Sequence, residues 1–258
     1  MNIKWDAKKY TKDFSFVHQY GNDLIELIDK RGATTVLDLG CGNGALTKKL
    51  AEEGMVALGM DASADLLQVA RANYPGLSFI EGDATGFHLS ESVDAVFSNA
   101  VFHWIERKKQ TDLLRCVYQA LNPNGQFVFE FGGHGNNALI HGTLKEEFEK
   151  RGLVYQHPFY FPTIGEYSAL LEQAGFKVIY AVLFDRMTEL QGENGLIDWI
   201  RMFVKTPFDN ISDAEQDEII WETVQRLRSQ LFYNGKWHAD YVRIRCKALK
   251  HYEEEPEC

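Results

Sequence analysis

The 258-residue sequence has few cysteines, few prolines and no long apolar run. Its four cysteines, Cys41, Cys116, Cys246 and Cys258, stand far apart and form no C-x-x-C pair. Because structural zinc sites and disulfide frameworks depend on closely spaced or numerous cysteines, we expect neither, and we expect no metal site. The reducing cytoplasm is the simplest compartment for such a chain.

Positive charge is also scarce, with 27 Lys and Arg against 37 Asp and Glu and a formal net charge of −10. Nucleic-acid surfaces and anionic membranes both select clustered Lys and Arg. No window approaches the roughly 18 apolar residues of a membrane span. The first residues, "MNIKWDAKKYTKDFSF", carry charges where a signal peptide needs an apolar stretch. We therefore expect no nucleic-acid partner, no membrane association and no leader.

What the sequence does contain is a regular alternation of strand and helix patterns over its first 131 residues. The predicted strands are apolar on both faces and cover 34–40, 55–61, 77–83, 93–100 and 125–133. Helix patterns occupy 45–54, 63–73, with Ser63 as N-cap, and 108–121. Strands that are apolar on both faces are typical of a parallel sheet covered by helices.

The rest of the chain is predicted to add a helix at 165–174, a strand at 176–186, helical stretches at 193–205 and 212–233, and a last strand at 237–249. We divide the chain into three parts. Residues 35–185 and 237–250 form the α/β core. Residues 1–34, with a predicted helix over 14–30, close the site, and 186–236 form a helical insertion that covers the substrate.

The stretch "TTVLDLGCGNGALTKKL" places Gly40, Gly42 and Gly44 at the end of the first strand. Gly40, Gly42 and Ala45 also satisfy the dinucleotide fingerprint G-x-G-x-x-G/A, so an NAD-dependent oxidoreductase is one alternative, and a simple tight turn is another. However, Asp38 precedes Gly40 by two residues, and no Lys or Arg lies in the loop. A negative charge there disfavours a pyrophosphate and suits a cationic ligand.

The next three strands also end on polar side chains: Asp61, Asp83 and Asn99. Asp61 is placed to accept hydrogen bonds from ribose hydroxyls, and Asp83 to meet an adenine edge. The purely structural alternatives are that Asp61 caps a helix and that Asp83 forms a turn. Taken together, the four strand ends favour a positively charged nucleoside as the ligand.

These motifs resemble those of the class I S-adenosylmethionine-dependent methyltransferases, through "VLDLGCGNG", "GMDAS" and "GDATGF". The resemblance implies a Rossmann-like α/β fold with a seven-stranded, mostly parallel sheet, helices on both faces and an antiparallel last strand. It also implies S-adenosylmethionine as cofactor and S-adenosylhomocysteine as product. The implied cofactor residues are, for the methionine part, Asp38, Gly40, Cys41, Gly42 and Gly44; for the ribose, Asp61 and Ala62; for the adenine, Asp83 and Ala84; and along the sulfonium, Asn99 and Ala100. The side chain of Cys41 itself is expected to pack as a small residue in the interior, the alternative being a reactive thiol.

The acceptor is indicated by "SNAVFHW" after the fourth strand. It lacks the Asn/Asp-Pro-Pro-aromatic run of methyltransferases that act on planar amino groups. It is similar instead to the trans-aconitate methyltransferase group, as are "W-D-x-x-x-Y" at Trp5, Asp6 and Tyr10, "FPTIGEYSALLEQAGF" and "GLIDWIRMFVKTPF". This likeness implies O-methylation of a small carboxylic acid. Lipid C-methylation or cyclopropanation, and cofactor binding without catalysis, are the alternatives.

Candidate acceptor residues follow from the same resemblance. His103 is a base or a donor to an acceptor oxygen, or a strand-end histidine bonded to backbone. The candidate binding residues are Tyr10, Trp104, His134, Trp199 and Arg201, against simple packing for the aromatic residues. An anionic acceptor needs a cation, for which Arg186, Arg201, Arg243 and Arg245 are candidates, although a surface ion pair is the alternative for each.

Overall fold

The computed structural model describes residues 21–30, 32 and 34–250. Trp5, Tyr10 and Cys258, and most of the predicted segment 1–34, lie outside these residues. The chain divides into two compact units. The first comprises the described residues up to Phe131, with Pro162–Val182 and those from Ile244 onward, and the second comprises Gly132–Phe161 and Leu183–Arg243.

The first unit begins with strands and helices that alternate along the chain. They are α1 (Asn22–Ile25), β1 (Thr35–Leu39), α2 (Ala45–Glu52), β2 (Val56–Asp61), α3 (Ala64–Asn73), β3 (Ser78–Glu81), β4 (Val93–Asn99), α4 (Gln110–Ala120) and β5 (Leu121–Gly132). Two 3-10 turns, Phe102–Trp104 and Arg107–Lys109, connect β4 to α4. The later elements of the chain are α5 (Ala138–Lys150), α6 (Ile164–Gln173), β6 (Phe176–Leu190), α7 (Gly195–Phe203), α8 (Asp213–Leu231), β7 (Phe232–Tyr233) and β8 (Lys236–Lys250).

The sheet has the strand order β3-β2-β1-β4-β5-β8-β6, and the two-residue β7 pairs antiparallel with β8. The pairs β1–β2, β2–β3, β1–β4 and β4–β5 are parallel. Seven strands thus form the main order and β7 adds a short eighth. The predicted α/β class with a Rossmann-like, mostly parallel sheet is confirmed.

Local sequence signals explain where the helices begin. The Ser63 hydroxyl accepts the Leu66 N–H at 3.3 Å, as predicted for the N-cap of α3. Thr163 caps α6 in the same way through the Glu166 N–H at 3.1 Å. The central strands of the sheet carry apolar side chains that are shielded from solvent: Leu37 of β1, Val96 of β4 and Phe127 of β5 have 0% exposure. Packing of this kind fixes β1, β4 and β5 against one another.

The second unit contains one helix, α5, that the sequence analysis did not assign. Ile140, Leu144 and Phe148 recur every four residues along it and all are fully buried. That spacing is the signature of one apolar helix face, and it could have identified the helix. The predicted helices at 193–205 and 212–233 are present as α7 and α8, each shorter by a few residues.

Candidate functional site

The sheet order reverses between β1 and β4, and ligands in open α/β sheets bind at the carboxyl ends of strands near such a point. The loop after β1 turns back on itself there. The N–H groups of Gly40 and Cys41 both donate to the Met60 carbonyl, at 2.7 and 2.9 Å, and the Gly44 N–H donates to the Cys41 carbonyl at 3.0 Å. These amides are engaged within the protein, so the loop serves as a fixed wall.

A cavity of about 190 Å³ lies beside this loop. The residues that line it are Leu39, Gly40, Gly42, Asp61, Ala62, Ser63, Leu66, Gly82, Asp83, Ala84, Thr85, Asn99, Ala100, Val101, Trp104, Ile105, Glu106 and Lys109. The structure therefore brings together eight of the predicted cofactor residues, from four strand ends. The other three, Asp38, Cys41 and Gly44, lie behind this lining in the described part of the chain, and all three are buried.

Asp61, at the end of β2, has both carboxylate oxygens engaged by backbone. Oδ2 accepts the Gly42 N–H and Oδ1 accepts the Ser63 N–H, each at 2.8 Å. Burial raises the pKa of Asp61 above its ordinary value, and these amide hydrogen bonds oppose the rise. Each carboxylate oxygen has a second lone pair, so the group can still accept hydrogen bonds from a pair of ligand hydroxyls.

Asp83 forms the turn that follows β3. Its Oδ1 accepts both the backbone N–H of Thr85 at 2.8 Å and the Thr85 hydroxyl at 2.7 Å. These hydrogen bonds hold the pKa of Asp83 below its ordinary value, and the charge of Lys109 contributes in the same direction. Asp83 therefore forms a turn, the structural alternative given for it above, and it also lines the cavity.

Asp38, in β1, is only 2% exposed. Its Oδ2 accepts the Thr47 hydroxyl at 2.6 Å. Burial raises the pKa of Asp38 from 3.8 to about 7; the Thr47 hydrogen bond lowers it and the nearby charge of Asp61 raises it further. Two carboxyl groups close together at low exposure are suited to a cationic ligand, which would favour the charged form of both.

Two backbone conformations shape the wall of the cavity. Gly40 has a φ of +80°, and a Cβ at this position would overlap the side chain of Val101. Ala100 has a φ of +62°, which L-residues other than Asn and Asp rarely adopt, and its N–H donates to the Glu130 carbonyl at 2.7 Å. Strain of this kind is concentrated at functional sites, and here it turns the chain along the cavity immediately after β4.

The two candidate side chains after β4, His103 and Trp104, differ in their position relative to the cavity. Trp104 lines the cavity. His103 is buried and, among the described residues, is not part of the lining. Its ring stacks on Phe131 with 6.4 Å between centroids and lies 5.3 Å from the Trp104 ring. The 3-10 turn points consecutive side chains in different directions, which strand-end reasoning alone did not capture.

The remaining acceptor candidates among the described residues, His134, Trp199 and Arg201, belong to the second unit. His134 is exposed, in the loop after β5. Trp199 and Phe203 are buried on α7, as predicted for its apolar face. The Arg201 guanidinium donates to Asp217 Oδ1 at 2.6 Å, with both side chains more than half exposed, so the alternative of a surface ion pair describes its position. Roles for these residues in acceptor binding stay predictions.

The other three candidate arginines each have an identifiable contact. Arg245 pairs with the buried Glu130 at 2.8 Å in the first unit. Arg186 lies 5.0 Å from the centre of the Phe184 ring. Arg243 is 6% exposed, and its guanidinium lies 5.7 Å from the centre of the Tyr241 ring. Arg243 is therefore a buried cation, unlike Arg201.

Sequence reasoning missed several lining residues, chiefly Leu66, Ile105 and Lys109. Leu66 lies in the first turn of α3, Ile105 follows the first 3-10 turn, and Lys109 ends the second. Leu66 and Ile105 add apolar surface, and Lys109 adds a cation near Asp83. Their nearness to the strand ends in sequence was the available signal, but which way each side chain points depends on the turns.

None of the helices in the described part of the chain is long and apolar enough to cross a membrane. Within the same part of the chain, no group of three or more His, Cys, Asp or Glu is arranged to hold a metal ion. Cys41, Cys116 and Cys246 are buried free thiols.

This chain is similar to known proteins both within residues 36–125 and over most of its length. The protein-family model "Methyltransferase domain" matches residues 36–125. An uncharacterized methyltransferase of Schizosaccharomyces pombe is 32% identical over 95% of this chain and 98% of its own length. A trans-aconitate 2-methyltransferase of Deinococcus radiodurans is 30% identical over 80% of this chain and 83% of its own length.

A solved structure supports the fold. A Bacillus halodurans protein, solved as a candidate methyltransferase, superposes with a TM-score of 0.63 at 19% identity, covering 89% of this chain and 98% of that one. At this identity the likeness concerns the fold alone. The Schizosaccharomyces pombe relative, by contrast, is 32% identical over nearly the whole of both chains. The chain therefore belongs to the class I S-adenosylmethionine-dependent methyltransferases and is related to their trans-aconitate group.

Proposed function

We propose that this methyltransferase acts on a small molecule and converts a carboxylic acid to its methyl ester. The observation that carries the proposal is the match to trans-aconitate 2-methyltransferases of Rhizobium etli and Deinococcus radiodurans, which spans 77% and 80% of this chain. A carboxylate is already ionised at neutral pH and needs no general base.

We propose that the cavity of the first unit holds the cofactor. Asp61 would accept hydrogen bonds from the ribose hydroxyls. Asp83 and Ala84 would meet the adenine edge, while Leu66 and Ile105 supply apolar surface for its ring. The methionine part would lie along the Gly40–Gly44 loop, with Asn99 and Ala100 beside the sulfonium. The buried carboxyl of Asp38 supports this assignment, since it lies behind the loop with a pKa raised to about 7 and would be stabilised by a nearby cation.

When bound, S-adenosylmethionine would supply a methyl group on a positively charged sulfur, and that sulfur is the leaving group when an acceptor carboxylate oxygen bonds to the methyl carbon. The work left to the protein is to hold the acceptor in line and to exclude water. Positioning of this kind contributes up to roughly 7–11 kcal/mol in well-oriented reactions. His103 is then not required as a base.

The acceptor pocket is proposed on sequence grounds. Residues 1–34 would close the site, and the helical insertion 186–236 would cover the substrate. Tyr10, Trp104, His134, Trp199 and Arg201 are retained as candidate contacts. The cytoplasm is retained as the expected compartment.

The test of this function uses S-adenosylmethionine with a radiolabelled methyl group and a panel of small di- and tricarboxylic acids, including trans-aconitate. Each product is then treated with mild base. We expect label to be released as volatile methanol, because a methyl ester is hydrolysed. Label that resists base would indicate N-, C- or ether methylation and would contradict the carboxylate proposal. Cofactor binding in the same samples separates a missing acceptor from a protein that does not catalyse.

The ribose assignment is tested by Asp61→Ala. Loss of hydrogen bonds to a charged group should weaken S-adenosylhomocysteine binding by about 1.5–3 kcal/mol, measured by calorimetry. Asp65→Ala is the matched control, because Asp65 lies four residues further along and is exposed. Unchanged affinity in the Asp61 variant would show that the carboxylate only fixes the loop.

A further inference from the structure

Three basic residues in a row precede α4, at the end of the helix where the dipole disfavours positive charge. Arg107, Lys108 and Lys109 form the second 3-10 turn, which has roughly three residues per turn, so their side chains leave the backbone in different directions. The Arg107 guanidinium donates to Glu166 at 2.7 Å. The Lys108 ammonium pairs with Glu106 at 2.8 Å. Both pairs lie at the surface, and Lys109 takes the third direction.

Lys109 is half-buried and lines the cavity of the first unit. It is the single Lys or Arg among the described lining residues, which include the carboxylates of Asp61, Asp83 and Glu106. Unlike its two basic neighbours, it forms no ion pair within the described part of the chain. Its ammonium group is therefore a hydrogen-bond donor that a ligand in the cavity can use.

Asp83 supplies a hydrogen-bond acceptor near this donor. Its Oδ1 accepts both the backbone N–H and the hydroxyl of Thr85. The two contacts fix the orientation of the carboxylate, and Oδ2 has no hydrogen-bond partner among the described residues. The hydrogen bonds of Thr85 lower the pKa of Asp83, and the charge of Lys109 is close enough to lower it further. One end of the cavity thus combines an oriented acceptor with a cationic donor.

This combination is complementary to one edge of adenine. The N6 amino group of adenine donates hydrogen bonds, and the ring nitrogen N7 accepts them. Asp83 and Ala84 follow β3, whereas Lys109 lies beyond β4, so a purine between them presents opposite flanks to the two sides. The nitrogens N1 and N7 flank the amino group. With N1 on the side of Ala84, N7 is on the side of Lys109.

We propose that Lys109 reads the adenine base of the cofactor by donating a hydrogen bond from Nζ to N7, while Asp83 Oδ2 accepts from the N6 amino group. The ligand class is a 6-aminopurine nucleoside whose N7 carries no substituent. This inference rests on the proposed placement of the cofactor in the cavity and deepens it. Lys109 is a binding residue remote from the transferred methyl group, so it acts on cofactor affinity and not on the chemical step.

Two other roles for Lys109 predict different measurements. If Lys109 only balances the charges of Asp83 and Glu106, its loss changes the affinity for every adenosine analogue by the same factor. If it binds the carboxylate of the methyl acceptor, its loss raises the KM for the acid and leaves the affinity for S-adenosylhomocysteine unchanged. A hydrogen bond to N7 makes the effect of the substitution depend on that one nitrogen.

The experiment measures binding to the full chain by calorimetry for two ligands, S-adenosylhomocysteine and its 7-deaza analogue, in which C–H replaces N7. The variant is Lys109→Met, which keeps an unbranched side chain without the charge. Lys108→Met is the matched control, because Lys108 is the adjacent lysine and its side chain is 77% exposed.

We expect the unaltered protein and the Lys108 variant to bind S-adenosylhomocysteine about ten-fold more tightly than the 7-deaza analogue, as for a hydrogen bond to a charged group. Lys109→Met should bind S-adenosylhomocysteine about ten-fold more weakly than the unaltered protein does, and the analogue with unchanged affinity. Equal affinities of the unaltered protein for the two ligands would overturn the inference without any variant. So would a Lys109 substitution that weakens both ligands equally or neither.

Kinetics with the methyl acceptor give a second readout that a purely structural role would not produce. Lys109→Met should raise the KM for S-adenosylmethionine about ten-fold, while kcat and the KM for the acceptor stay unchanged. A lowered kcat or a raised KM for the acceptor would contradict the assignment to the adenine. Far-UV circular dichroism checks that each variant folds.

The outcomes separate this inference from the proposed function. Ester formation by a protein that binds the two ligands equally would overturn the inference and leave the function standing. The expected N7 dependence together with a base-resistant methyl product would support the role of Lys109 and contradict ester formation. If the unaltered protein does not bind S-adenosylhomocysteine, the placement of the cofactor fails and the inference fails with it.

Discussion

Asp38 holds a carboxyl group in a place where water scarcely reaches. Its neighbours offer one hydroxyl donor, from Thr47, and a second carboxylate, Asp61. The raised pKa, about 7, means that the folded protein retains this proton at pH values where the unfolded chain has lost it. Since the folded state then binds more protons than the unfolded state, stability falls as pH rises from about 4 to about 7.

We predict that Asp38→Asn raises the free energy of unfolding at pH 8 relative to the original protein, by as much as about 4 kcal/mol. The amide cannot ionise, yet its oxygen can still accept the Thr47 hydroxyl. Urea unfolding of both proteins at pH 5 and pH 8 measures the effect, which should be much smaller at pH 5. A difference that is the same at both pH values would contradict the assigned pKa. The variant should also bind S-adenosylmethionine more weakly, because a neutral amide does not balance a cation.

Gly40 and Gly42 provide a matched pair of substitutions in one loop. Both have positive φ, +80° and +55°, so alanine at either position costs about 1 kcal/mol of backbone strain. At Gly40 the new methyl would also overlap Val101, whereas at Gly42 it meets nothing within 4 Å. We predict that Gly40→Ala lowers the melting temperature considerably more than Gly42→Ala.

The second readout for this pair is cofactor affinity. The methyl group of Gly42→Ala would project from a residue that lines the cavity, so binding should weaken although folding is little affected. Equal melting temperatures for the two variants would show that Val101 moves aside. Unchanged cofactor affinity for the Gly42 variant would show that the ligand does not lie on this part of the loop.

At the scale of elements, α5 and α8 are joined by a buried carboxylate. Glu147 is 2% exposed and accepts hydrogen bonds from Lys150, Arg151 and Arg226, the last from α8. Burial alone would raise the pKa of Glu147, but these three cations lower it to about 2. Because the folded-state pKa lies below the ordinary 4.5, this contribution to stability is present at neutral pH and is lost as pH falls through about 4.5 to 2.

We predict that Glu147→Gln lowers the free energy of unfolding by about 2 kcal/mol at pH 7. This is below the roughly 3–5 kcal/mol of a fully buried pair, because Lys150 and Arg226 are partly exposed. The difference should shrink toward pH 3, which denaturant unfolding at several pH values will show. Glu146→Gln is the control: Glu146 is exposed and pairs with Arg226, so its loss should cost about 0.5 kcal/mol at most. Equal effects for the two variants would contradict a special role for the buried carboxylate.

At the scale of the whole molecule, a ligand that binds only the folded chain stabilises it by mass action. S-adenosylhomocysteine at about 100 times its dissociation constant should add about 2.7 kcal/mol to the free energy of unfolding. NAD at the same concentration should add nothing, since the buried carboxyl of Asp38 lies directly behind the glycine loop that would have to hold its pyrophosphate. Thermal melts with each ligand measure this. Stabilisation by NAD would reopen the dinucleotide interpretation of the glycine loop.

The sequence by itself determined the alternation of strands and helices, the cap at Ser63 and the positions of the acidic strand ends. These features are local, because periodicity, capping and glycine turns act over a few residues. The same local signals, with the family resemblance, identified the residues that reach the cavity from β2, β3 and β4.

Only the tertiary structure decided which of those side chains face outward and which turn into the core. It placed Asp38 behind the loop, removed His103 from the cavity lining, and paired Glu147 with Arg226 across 79 residues of sequence. It also brought the Tyr155 hydroxyl and the Trp199 ring to the imidazole of His141, on α5. Each of these depends on how separate elements pack, and packing is set by contacts between distant residues that no short stretch of sequence contains.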